Sequence, residues 1–262
     1  MYLSATWCPG SRRRPDYEHP PRRLEFSVEI EIYADIVCPW CYLGKRRLER
    51  ALATFEPEVI LRWRPFQLDP STPTQAGPLL PWLGARFGGE ERARQMTAHT
   101  AAVAAAEGLD LDFDRALIAN TLLAHRLVWF ADQPEAVAFG AAADTQPEIV
   151  EALHRAHFAD GLDIGSVETL TSLAAEVGLD AARVRRLLDS SEGEVEVRAA
   201  MRRAQALGVT GVPAFVFAGR YLVVGAQSPA TLRAALDQAL THWQPEPVQD
   251  HGSRQLLEQA PG

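Results

Sequence analysis

The chain has 262 residues, enough to bury one large core or a domain carrying an insertion, and its 47% hydrophobic content is that of an ordinary globular protein. A net charge of -8 argues against a nucleic-acid surface, because binding phosphate by counterion release needs a basic face. No stretch reaches the roughly 18 uninterrupted apolar residues of a membrane span, so no membrane partner is expected.

Residues 1–26 are rich in arginine and proline, contain no run like a signal-peptide core, and are expected to form a disordered leader carrying Cys8. A cytoplasmic protein is expected on that ground. In a reducing compartment a C-x-x-C pair points to redox catalysis or metal binding more often than to a structural disulfide.

Next comes "FSVEIEIYADIV", in which Val28, Ile30 and Ile32 alternate with polar neighbours, the period of a half-buried strand. The pair Cys38 and Cys41 follows directly, within "CPWC". A helix then starts at Pro39, acceptable there because proline suits a first helical turn, and its Leu43, Leu48 and Leu52, with Phe55 beyond, fall near one face. A second strand is expected at "EVILRWRPF", with Val59, Leu61, Trp63 and Pro65 on one side.

After a proline-dense connection from Gln67 to about Trp82, the chain is alanine-rich and helical in pattern to about Leu207. Start signals are Asp114 before "RALIANTLLAHRLVWF", Pro134, and Ser191 with Glu194 as a capping box. Gly161, Gly178 and Gly208 mark helix ends. Glu151, His154 and His157 share a helix face, but the second copy and facing glutamates of a di-iron bundle are missing, and a polar face is the simpler reading. Arg183, Arg185 and Arg186 read as the solvated side of a short helix.

From Val209 the pattern returns to strands: Ala214 to Phe217 and Tyr221 to Val224 form a hairpin across "AGR", and Ser228 caps a last helix to about Leu240. The resulting β-α-β, helical block, β-β-α order is an α/β class, a thioredoxin-like domain interrupted by an all-α insertion. The expected divisions are 27–68 with 208–241 for that domain, 69–207 for the insertion, and a disordered tail at 242–262.

Cys38 stands where a helix N-terminus stabilises a thiolate, and Cys41 comes one turn later, close enough to attack a mixed disulfide on Cys38. A structural zinc site would need four ligands, and only Cys8 remains as a further cysteine, so no metal is expected. Val212-Pro213, in "GVTGVPAF" just ahead of a strand, is a candidate cis bond.

"DIVCPWCYLGKRRLERAL", "RPFQLDP", "NTLLAHRL", "FADGLDIGSVETL" and "GVTGVPAFVF", in this order, resemble the DsbA-like thioredoxin family, and within it the FrnE-type cytoplasmic oxidoreductases. The resemblance implies a thiol-disulfide oxidoreductase with Cys38 and Cys41 catalytic and Pro39 and Trp40 completing the motif. It further implies a cis Pro213 facing the dithiol, with Val212 pairing with an extended substrate chain and Phe66 and His125 near the cleft. Cysteine-containing proteins or peptides would be the substrates. No bound cofactor is implied, only a low-molecular-weight thiol or redox partner that gives or takes electrons. Redox direction and oligomeric state stay open. Some FrnE-type proteins carry a second cysteine pair near the C-terminus, which is missing here.

Two other functions fit the same pattern. One resembles the 2-hydroxychromene-2-carboxylate isomerases and kappa-class glutathione transferases, which typically have serine at the position of Cys38. The other is a chaperone-like binding module in which the thiols are incidental.

Overall fold

The structure, a computed structural model, describes residues 27–142 and 145–241, so Cys8 and the segments expected to be disordered lie outside it. β1 (Ser27–Ala34) is central in a four-stranded sheet of order β2-β1-β5-β6. Its alternation places Val28, Ile30 and Ile32 in the core. β1 leads through α1 (Pro39–Leu52) to β2 (Glu58–Pro65), which runs parallel to it with Ile32 opposite Trp63. A parallel pair requires such a crossover.

The inserted segment is helical apart from one small ribbon. It comprises β3 (Gly77–Pro78), α2 (Leu79–Phe87), α3 (Glu90–Ala105), β4 (Leu117–Ile118), α4 (Leu122–Ala131), a 3-10 stretch Pro134–Phe139, α5 (Thr145–Phe158), α6 (Val167–Glu176), α7 (Ala181–Leu188) and α8 (Glu194–Ala206). The chain then returns as β5 (Ala214–Phe217), antiparallel to β1, and β6 (Tyr221–Val224). α9 (Pro229–Thr241) follows, with the Ser228 hydroxyl accepting the Thr231 N–H at 3.2 Å.

Three local expectations are corrected. The helix expected after Asp114 begins only at Leu122: Asp112 Oδ1 takes the N–H groups of Asp114 and Arg115, Leu117–Ile118 pairs with Gly77–Pro78, and Asn120 Oδ1 accepts from Leu122. Tertiary pairing here overrides helical periodicity. There is no capping box at Ser191, because the Ser191 carbonyl and not its hydroxyl takes the Glu194 N–H at 3.1 Å. Gly193 is the cap, pressed on Trp129 so closely that a Cβ would lie 2.5 Å from the ring. Finally, α1 buries two faces. Cys41, Leu48 and Ala51 join the core under the sheet, while Tyr42 and Leu43 pack with Leu80, Leu111, Phe113 and Phe158 of the insertion.

Two buried polar side chains bind the insertion together and to the sheet. Gln146 accepts the Trp63 N–H at 2.8 Å and donates to the Val128 carbonyl at 3.1 Å, sealing the exposed edge of β2. Arg126, on α4, donates to the carbonyls of Leu187, Ser190 and Glu192 at the end of α7. Burial lowers its guanidinium from the ordinary range, and these carbonyls take up its donors. Arg126→Met should therefore cost about 3 kcal/mol, since charged hydrogen bonds are each worth roughly 1.5–3 kcal/mol. Urea denaturation would measure it; a loss below about 1 kcal/mol would show that the carbonyls find other donors.

Candidate active site

The end of β1 delivers the chain into a turn in which Asp35 O accepts the Cys38 N–H at 3.1 Å. Cys38 is the N-cap of α1 with extended backbone (φ -90°, ψ 111°), and Pro39 occupies the first helical position. The Cys38 carbonyl accepts the N–H groups of Cys41 at 3.0 Å and Tyr42 at 3.3 Å, which places the second sulfur one turn inside. Both cysteines are free thiols. Trp40 is 38% exposed and lies on the outside of the motif.

Cys38 is less open than its place at a helix start suggests. It is only 4% exposed, against 1% for Cys41, and its Sγ lies 4.0 Å from the Val212 carbonyl. The loop ahead of β5 covers it. The Val212-Pro213 peptide in that loop is cis. Burial, reinforced by the adjacent Cys38 sulfur, pushes the Cys41 thiol well above its ordinary range, so Cys41 is held protonated. Access therefore does not separate the two sulfurs.

Gly44, on α1, lets Pro213 come this close. A Cβ there would lie 2.8 Å from Pro213 Cγ and 3.2 Å from the Phe215 ring. Gly44→Ala should displace Pro213 from the helix, cost about 1–3 kcal/mol as an overpacking change, and speed alkylation of Cys38 by opening its cover. Denaturation together with iodoacetamide kinetics tests this; wild-type values for both would mean the loop yields without cost.

His125, from α4, is buried with its Nε2 at 3.1 Å from the Phe66 carbonyl and 3.3 Å from Asp35 Oδ1. Asp35 Oδ2 accepts the Leu68 N–H at 2.8 Å. The side chains of Phe66 and Val212 both pack on the small cluster of Tyr33, Ala204, Val209 and Ala214. His125 therefore meets the dithiol turn through Asp35, a partner 90 positions away that no motif points to. Among the described residues, no group of three or more His, Cys, Asp or Glu side chains is arranged to hold a metal ion. Nor, among them, is any helix long and apolar enough to cross a membrane.

A model of the DSBA-like thioredoxin domain matches residues 29–237, spanning both halves of the sheet, the dithiol and the insertion. The chain belongs to this family. Among curated relatives, it is 28% identical over 214 residues to the uncharacterized protein YwbO of Bacillus subtilis strain 168, covering 80% of this chain and 96% of that one. Among solved structures, a probable DsbA oxidoreductase from Streptomyces coelicolor is 36% identical, with a TM-score of 0.75 over 86% of this chain and 94% of that one. A 2-hydroxychromene-2-carboxylate isomerase has the same fold at 16% identity, with a TM-score of 0.57 over 81% of this chain and 96% of that one. Since the fold is common to both kinds of protein, chemistry has to be argued from the sulfurs.

Proposed function

We propose that this protein exchanges disulfides with cysteine-containing proteins or peptides, Cys38 attacking and Cys41 resolving. The observation carrying this is the pairing of a free thiol at the N-cap of α1 with a second free thiol one turn inside, held protonated by burial. Attack by the Cys38 thiolate on a substrate disulfide breaks that bond, forms a mixed disulfide and releases one substrate thiol. Attack by Cys41 on the Cys38 sulfur then closes the intramolecular disulfide and releases the second thiol. A low-molecular-weight thiol or a redox partner returns the pair to the dithiol, and the same steps reversed oxidise a substrate.

In this reading the Val212 backbone receives an extended substrate segment and Pro213 shapes the loop against Cys38, while Trp40 presents an apolar surface beside the attacking sulfur. Phe66 supports that loop from below, and His125 positions the turn through Asp35. Direction follows from the dithiol's potential against that of its compartment, and for the expected cytoplasmic setting a value near that of thioredoxin would make it a reductase.

The isomerase and transferase reading is disfavoured by Cys41, since a resolving thiol has a purpose only in disulfide exchange. The test is turnover of an oxidised peptide by the reduced protein with glutathione or another small thiol as donor. Catalysed release of peptide thiols supports the proposal. No release, with thiol-dependent isomerisation of a small aromatic substrate instead, would sink it. Suppression of aggregation that survives Cys38→Ser, without turnover, would favour the binding module.

A further inference from the structure

Between α1 and α5 lies a set of polar groups that disulfide exchange as described leaves unused. Glu151 accepts the Tyr42 hydroxyl at 2.7 Å and Arg46 at 3.2 Å, and it also accepts Lys45, the single lysine of the chain, which bonds Glu49 as well. Burial pushes the Glu151 carboxyl up, but Lys45, Tyr42 and Arg46 outweigh it and hold the group below its usual range. Its side chain remains 31% exposed, so this end of the set meets solvent.

One and two turns along α5 from Glu151, His154 and His157 are 0% and 1% exposed. The His154 ring stacks on Tyr42, with centroids 4.8 Å apart, and its Nδ1 lies 3.0 Å from the carbonyl of Ile36, in the turn before the dithiol. Burial, reinforced by the charge of Lys45, lowers His154 to about 3, and burial lowers His157 to about 4 against the opposing charge of Asp35. Both rings are therefore neutral near pH 7, each with one donor and one acceptor nitrogen. Since Nδ1 of His154 donates to Ile36, its Nε2 is an acceptor without a protein partner, and neither nitrogen of His157 has one.

Buried polar atoms left unpaired cost roughly 1–3 kcal/mol each, so three together would consume much of a domain's stability. Such groups are ordinarily satisfied by ordered water. The same Asp35 carboxylate that acts on His157 also acts on the Cys41 thiol. Ile36, whose carbonyl His154 meets, follows Asp35 in the turn that leads into the dithiol, and His157 lies one turn of α5 beyond His154, so both rings stand between that turn and Glu151.

We propose that the unpartnered nitrogens of His154 and His157 hold internal water, and that this water, with Asp35, conducts the Cys41 proton to Glu151 at the surface. The second half of this statement rests on the exchange reading above. When Cys41 attacks the mixed disulfide, its S–H bond breaks and the proton passes to the Asp35 carboxylate and on into the water. The Cys41–Cys38 bond forms, the bond from Cys38 to the substrate breaks, and the departing thiolate takes a proton from solvent. Reduction of the pair runs the path in reverse.

The facing charges are Lys45, Arg46 and Glu49 with the Tyr42 hydroxyl on α1, Glu151 on α5, Asp35 in the turn and His125 on α4. With Lys45 so near, a second positive charge on His154 is disfavoured. The rings therefore stay neutral and hold the water by hydrogen bonds, and the water carries the proton.

Two measurements test this. With labelled histidine rings, water-to-protein Overhauser transfer in the reduced protein should reveal long-lived water at His154 and His157; its absence overturns the water site. Stopped-flow separation of mixed-disulfide formation from resolution should show formation unchanged in His154→Phe and His157→Phe. Resolution should slow about a hundredfold, the lower end for proton transfer, and His157→Gln should restore most of it. If a Phe variant fails to fold, Glu151→Gln must show the same selective slowing. Resolution at the wild-type rate, or an equal loss in both steps, overturns the proton path. A wild-type protein that exchanges no disulfide defeats the exchange reading instead, and the Overhauser measurement still decides the water site.

Discussion

Cys38→Ser is expected to lower disulfide exchange by at least about a thousandfold and to form no adduct, because the side chain that attacks is gone. Cys41→Ser should still attack once and then accumulate a stable mixed disulfide at Cys38. The asymmetry follows from α1: Cys38 is the N-cap residue beside the Val212 loop, whereas Cys41 lies one turn inside and is held protonated by burial. Access does not separate the two sulfurs, both being nearly covered, so the first attack requires the Val212 loop to yield. Mass spectrometry of each variant after incubation with an oxidised peptide reads the result. Adducts trapped equally on both sulfurs, or turnover by Cys38→Ser, would reverse the assignment of the nucleophile.

Acid should destabilise the protein well before its carboxylates are protonated. His154 and His157 have folded-state values of about 3 and about 4, below the roughly 6.5 of an unfolded chain. Between these limits the unfolded state binds protons that the folded state does not, so stability is complete above about pH 6.5 and is lost as the pH falls. At pH 5 each ring should account for about 2 kcal/mol, from roughly 1.5 units at 1.36 kcal/mol per unit. The pair together then removes about 4 kcal/mol, a large share of a typical 5–15 kcal/mol. The loss levels off only where the folded rings themselves take up protons. Urea midpoints at pH 7, 6 and 5 measure it, and His157→Phe should remove about half of the slope. A midpoint independent of pH over that range would show that the rings are protonated, or reached by bulk solvent, in the folded state.

Both predictions depend on contacts of different legibility. The four main strands follow from period-two alternation, since a strand that buries one face must place an apolar residue at every second position. The dithiol at the start of α1 follows from Pro39 and the preceding strand. The same local logic failed at Arg115 and at Ser191. In each case a distant partner, the Gly77–Pro78 strand or the Trp129 ring, outcompeted the helix signal. It failed again for Leu43, because periodicity tells which residues are buried and not which of two neighbouring bodies they are buried against.

The amino-acid sequence by itself determined the order of the four main strands around a largely helical block, the dithiol with its helix-end setting, and the family to which those motifs belong. These are properties of neighbours along the chain, where backbone geometry links residues a few positions apart. Only the tertiary structure decided that Lys45 meets Glu151 across 106 positions, that His125 reaches Asp35 across 90, and that His154 faces the Ile36 carbonyl across 118. A buried charge or ring takes its protonation state from whatever packs against it, and the partners at such separations are set by how helices cross a sheet rather than by local pattern. The face bearing Glu151, His154 and His157 was therefore visible as a spacing, while its neutral rings and unpartnered nitrogens arose only when α5 closed against α1.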